Sequence, residues 1–145
     1  MMKKVLSSLF LTAALIPGLA LACDGHDKNM VQTVNAAEGA KLVKAKEATF
    51  VDVNGAETRQ KMGIIPGAIL LTSTDFGPAE LPAAKDSKLV FYCASTQCGA
   101  SKMAAKKAID SGYANVFVLP EGIKGWKESG NPTAQVAPAK IPAKS

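Results

Sequence analysis

The chain has 145 residues, 48% hydrophobic and 20% charged, a balance that suits one folded domain and excludes a disordered or fibrous chain. Its net charge of +5 is scattered, with Lys102, Lys106, Lys107, Lys140 and Lys144 prominent, which excludes a nucleic-acid footprint and leaves a solvated basic surface. Three cysteines, Cys23, Cys93 and Cys98, are too few for a disulfide scaffold, and their odd number flags a free thiol.

Residues 1–22 read as a secretory signal peptide. Lys3 and Lys4 form the basic end, and Val5 to Ile16 is an apolar stretch short for a membrane span. Pro17-Gly18 breaks it, and Ala20-Leu21-Ala22 is a small-residue cleavage site. Cleavage there predicts a periplasmic location. The same residues, ending Leu19-Ala20-Leu21-Ala22-Cys23, also fit a lipoprotein box, in which Cys23 carries the anchor; a membrane is expected as a partner only in that case. Residues 23–29 are a polar arm with the single histidine, His26. With Cys23, Asp24 and Asp27 it offers metal donors, but the reading adopted is a solvated arm and no metal.

From residue 30 the pattern alternates. Met30–Val34 predicts a short strand. Asn35-Ala36-Ala37-Glu38 has the spacing of a capping box and predicts a helix to about Val43. Ala48–Val53 predicts a strand covered on both faces. Asn54-Gly55 turns the chain into a brief helix over Glu57–Met62, and Gly63-Ile64-Ile65-Pro66-Gly67 leads into a strand over Ala68–Leu71. A long connection, Thr72 to Ser87, is the kind that borders sites. Leu89–Tyr92 predicts a buried strand and Ala100–Ser111 a helix. That helix has Ala104, Ala105, Ala108 and Ile109 on one side, and Lys102, Lys106, Lys107 and Asp110 on the other. Gly112 caps it. Asn115–Leu119 predicts another strand, and Ile123–Glu128 a last helix bearing Trp126. The domain therefore spans 30–130, and the Pro-, Ala- and Lys-rich segment 131–145 reads as a disordered tail. Strands alternating with helices predict an α/β fold, three layers with a mainly parallel central sheet and helices on both faces.

In such sheets, sites gather at the carboxyl ends of strands, where Cys93 lies. Ala94, Ser95, Thr96, Gln97 and Gly99 are small or polar and let the backbone curl, so that its N–H groups form an anion- or substrate-binding loop. Such a cradle, with the positive end of the following helix, favours a thiolate and makes Cys93 the candidate catalytic nucleophile. Lys102 is the nearest cation in sequence. Cys98, at the far rim of the loop, is the candidate resolving thiol for a persulfide or sulfenate on Cys93; the alternative is a small residue packed at the helix start.

Five segments occur in the order found in single-domain rhodanese-like proteins: Asp52-Val53; Gly63-Ile64-Ile65-Pro66-Gly67-Ala68-Ile69; Val90-Phe91-Tyr92-Cys93; Gly112-Tyr113-Ala114-Asn115-Val116; and Glu121-Gly122-Ile123-Lys124-Gly125-Trp126. The chain resembles that sulfurtransferase family over about residues 30–130. The resemblance implies a catalytic cysteine, here Cys93, that takes up sulfane sulfur as a persulfide and passes it to a thiol or other acceptor. Four departures stand out. The usual Asp-x-Arg is Asp52-Val53-Asn54. Ile64 stands in place of histidine. The double glycine before the tryptophan is Glu121-Gly122. The stretch from Cys93 to Gly112 is longer than in plain thiosulfate enzymes, and its loop carries no Arg or Lys. Longer loops are found in arsenate reductases and dual-specificity phosphatases, but those end in an arginine that Cys98-Gly99 lacks.

The expectation is an exported sulfurtransferase with no cofactor, a small sulfur-containing anion or persulfide donor, a thiol acceptor and no nucleic-acid partner. The alternatives are a periplasmic thiol–disulfide redox protein using Cys93 and Cys98, and a non-catalytic binding module on the same fold.

Overall fold

The structure, a computed structural model, describes residues 30–136. The expected signal peptide, the arm with Cys23 and His26, and residues 137–145 of the expected tail lie outside the described residues.

The elements run β1 (Gln32–Thr33), α1 (Ala36–Ala45), β2 (Thr49–Asp52), α2 (Ala56–Met62), β3 (Ile69–Leu70), β4 (Lys88–Tyr92), α3 (Ala100–Asp110), β5 (Asn115–Leu119) and α4 (Gly122–Glu128), with a 3-10 turn at Pro78–Glu80 before β4. The capping box is formed: Glu38 N–H donates to Asn35 Oδ1 at 2.9 Å, and Asn35 N–H to Glu38 Oε2 at 3.0 Å.

The five strands make one sheet in the order β1-β5-β4-β2-β3, every pair parallel. Strand periodicity then splits β4 between two cores. Leu89 and Phe91 pack on one face with Val51, Val118 and the small side of α3, Ala104, Ala105 and Ala108. Val90 and Tyr92 pack on the other with Phe50, Leu119, Ala36 of α1, and Ile123 and Trp126 of α4. This is the expected three-layer α/β architecture, with the central strand β4 covered on both sides.

The long connection before β4 packs on the α3 face of the sheet. Phe76 and Leu81 are buried on the α3 face, Phe76 stacking on Phe91 with ring centroids 6.2 Å apart. Tyr113 donates its hydroxyl to Pro82 O at 2.5 Å, and the Lys85 ammonium lies 3.9 Å from the centre of the Tyr113 ring.

The expected tail is ordered at its start. Ile64 and Ala134 form an antiparallel bridge, with N–H to O distances of 2.9 and 2.8 Å, and Trp126 Nε1 donates to Pro132 O at 2.8 Å. Composition reads this stretch as disordered, but two backbone bonds and the buried indole's need for an acceptor pin it.

Candidate functional site

Cys93 is the first residue after β4 and is buried. Its carbonyl accepts from Ile123 N–H at 2.8 Å, and the Ala94 carbonyl from Lys124 N–H at 3.0 Å, so the first turn of α4 is bonded directly to the loop. Gly122 permits this approach. Its φ is +62°, and a Cβ there would meet the Cys93 carbonyl oxygen and lie 2.7 Å from Ala94 C and 2.8 Å from Ser95 N.

The loop closes on itself through Cys98 N–H to Ser95 O at 3.1 Å. That turn aims carbonyls inward: Cys93 Sγ lies 3.2 Å from Cys98 O and 3.9 Å from Ser95 O, with Ser101 Oγ at 3.6 Å. Cys98 is half-buried, Ser95 and Ala94 likewise, while Thr96, Gln97 and Gly99 are exposed. All the predicted loop residues are thus brought together around Cys93.

The electrostatics differ from the expectation of a cradled Cys93 thiolate. Burial pushes the Cys93 thiol above its usual value and the hydrogen bond with Cys98 adds to this, against the hydroxyl and N–H of Ser101 pulling down. Burial also acts on Cys98, but is outweighed by hydrogen bonds from Cys93 and from the Ala100 and Ala94 N–H groups, so Cys98 is held below its usual value. The cradle therefore serves the rim thiol. Cys93, facing two carbonyl oxygens, is the proton-holding member of a coupled pair. Lys102 is exposed on α3 and is not among the hydrogen-bond partners of Cys93; Lys107 pairs with Asp75.

Arg59, the chain's single arginine, escaped sequence reasoning. From α2 it donates Nε to Asp52 Oδ1 at 3.2 Å, and Nη2 to Asp52 O at 3.0 Å and Leu71 O at 2.6 Å. It ties the carboxyl end of β2 to the residue that follows β3. Asn54 itself donates its N–H to Asp52 Oδ1 at 2.7 Å. Tyr92, next to Cys93, accepts the Ile65 N–H at 3.0 Å, and burial together with the Asp52 charge pushes its phenol far up. No cation is left over from this network for the loop. The only sequence signal was a lone arginine within reach of an acid at a strand end.

Beside the loop lies a hollow of about 250 Å³, with Ser95, Thr96 and Gln97 on one side and Glu121, Lys124 and Glu128 on the other. Lys124 Nζ is 3.9 Å from Glu128 Oε1. Glu121 Oε2 is shielded from solvent and has no hydrogen-bond partner among the described residues.

The fold has counterparts among known proteins. The protein YibN of Escherichia coli (strain K12) is 32% identical over 100 residues, covering 66% of this chain and 67% of that one. A Rhodopseudomonas palustris CGA009 structure described as a possible tyrosine phosphatase superposes with a TM-score of 0.61 at 28% identity, over 72% of this chain and 85% of that one. A thiosulfate sulfurtransferase from Pseudomonas aeruginosa shares the fold, with a TM-score of 0.62 at 20% identity, over 74% of this chain but only 20% of its own. The family model for the rhodanese-like domain matches residues 35–129, from the cap of α1 to the end of α4, and the chain belongs to that family.

Proposed function

We propose that the protein is an exported sulfurtransferase that carries sulfane sulfur on Cys93. The observation that carries this reading is the placement of Cys93 at the carboxyl end of the central strand, in a loop that offers polar groups but no charge. The Cys93 thiolate attacks the outer sulfur of a donor R–S–SH. A Cys93 Sγ–S bond forms, the donor's S–S bond breaks, and R–S⁻ leaves. An acceptor thiolate then attacks the outer sulfur of the Cys93 persulfide, returning the Cys93 thiolate and leaving with the sulfur. A thiol whose pKa is not depressed is the stronger nucleophile once ionised.

Phosphoryl transfer is the weaker reading. Phosphoryl oxygens call for cations at the loop, and the one arginine is occupied by Asp52 and Leu71. A thiol–disulfide role is favoured by one observation, the closeness of the two cysteines in one loop, with Cys93 Sγ 3.2 Å from the Cys98 carbonyl oxygen.

Turnover separates these. Transfer of sulfane sulfur from a polysulfide to cyanide or a small thiol is expected to disappear in Cys93→Ser and to persist in Cys98→Ser. Loss in both variants would move the assignment to the redox reading. For location, the intact mass of the exported chain distinguishes cleavage after Ala22 from acylation of Cys23.

A further inference from the structure

The hollow beside the loop does not suit an anionic donor. The charged groups that line it are two carboxylates, Glu121 and Glu128, and one ammonium, Lys124, whose Nζ is 3.9 Å from Glu128 Oε1, so the lining carries an excess of one negative charge. Glu121 stands beside the loop: it precedes Gly122, and the following Ile123 and Lys124 donate their N–H groups to the Cys93 and Ala94 carbonyls at 2.8 and 3.0 Å. Its Oε2 is a shielded carboxylate oxygen with no partner, a costly state unless a donor reaches it. The facing wall, Ser95, Thr96 and Gln97, is polar and uncharged, so it adds no cation to offset that excess.

We infer that Glu121 is a specificity-determining residue that receives an ammonium group, so that the sulfur donor is a small persulfide of an aminothiol rather than a sulfur oxyanion. The inference rests on the sulfur-transfer reading and narrows its substrate class. With a turn of the Glu121 side chain that brings Oε2 to the hollow, an ammonium N–H gives that shielded oxygen the donor it lacks. Across a hollow of about 250 Å³ a short carbon chain then brings the donor's outer sulfur toward the loop that holds Cys93. A dianion such as thiosulfate meets the Glu121 charge instead.

Two donors differing only in the charged group test this: the persulfides of cysteamine and of N-acetylcysteamine. The full chain carrying Cys98→Ser is used, so that sulfur on Cys93 is not lost to a disulfide, and the initial rate of Cys93 persulfide formation is followed by mass spectrometry. The cysteamine donor is expected to have a kcat/KM about tenfold higher, the size of one charge-assisted hydrogen bond. Glu121→Gln is expected to erase that preference by slowing the cysteamine donor alone, the N-acetyl donor being the control for an intact loop. Equal rates before the substitution, or a preference that survives it, overturn the role of Glu121 and leave sulfur transfer standing. Silence with both donors overturns sulfur transfer and this inference together.

Discussion

Cys93 and Cys98 divide between them the properties usually asked of one nucleophile. The buried thiol at the strand end holds its proton above the usual range, and the rim thiol, with two N–H donors, loses its proton below it. Both cysteines and their loop were legible in the sequence, because a strand, a curl of small residues and a helix leave a recognisable spacing. Which sulfur the N–H groups would face was not legible, since it depends on the turn closed by Cys98 N–H to Ser95 O. The pair sets a pH dependence. Alkylation of Cys98 rises at lower pH, and that of Cys93 keeps rising beyond the ordinary thiol range. Because Cys98 is one of the groups holding Cys93 up, after burial itself, Cys98→Ser is expected to lower the Cys93 pKa toward the usual value; rates of iodoacetamide labelling against pH measure it. An unchanged or raised Cys93 pKa would contradict the coupling. In stability, the folded state keeps the Cys93 proton at pH values where the unfolded chain has lost it. This contribution is therefore full below the unfolded thiol pKa and is lost as pH rises through the folded one.

At the scale of elements, the site is a loop sewn to α4 and underpinned by α2. Gly122→Ala places a side chain at a positive φ and against the Cys93 carbonyl, at a cost of about 2 kcal/mol or more, with loop displacement and loss of sulfur transfer. Urea unfolding and turnover measured together check it; unchanged values in both would show that α4 does not hold the loop. Arg59→Met removes the partner of a buried carboxylate and is expected to cost about 3 kcal/mol. The double variant Asp52→Asn, Arg59→Met is expected to cost less than the sum of the two single changes, as unfolding of all three variants would show. The capping box and the small face of α3 follow from local spacing, and the sequence predicted both. The Arg59–Asp52–Leu71 tie and the Ile64–Ala134 bridge join residues far apart in the chain, which periodicity does not register. Residues 131–136 look disordered by composition because their order comes from Trp126 and Ile64, not from themselves.

For the whole molecule, the alternation of strands and helices fixes a parallel sheet, and the order β1-β5-β4-β2-β3 places the reactive strand in its middle. Both faces of that strand are buried, so the loop after it rests on a rigid base. Little of the net charge of +5 is at the site: the one arginine is buried against Asp52, the lysines of α3 face outward or toward Asp75, and Lys124 stands between Glu121 and Glu128 in the lining of the hollow. The most direct measurement is peptide mass spectrometry of the full chain carrying Cys98→Ser, quenched in acid after brief exposure to a polysulfide or an aminothiol persulfide. A gain of one sulfur atom on Cys93, removed by a thiol acceptor, is the predicted result; an unmodified Cys93 with every donor would contradict it.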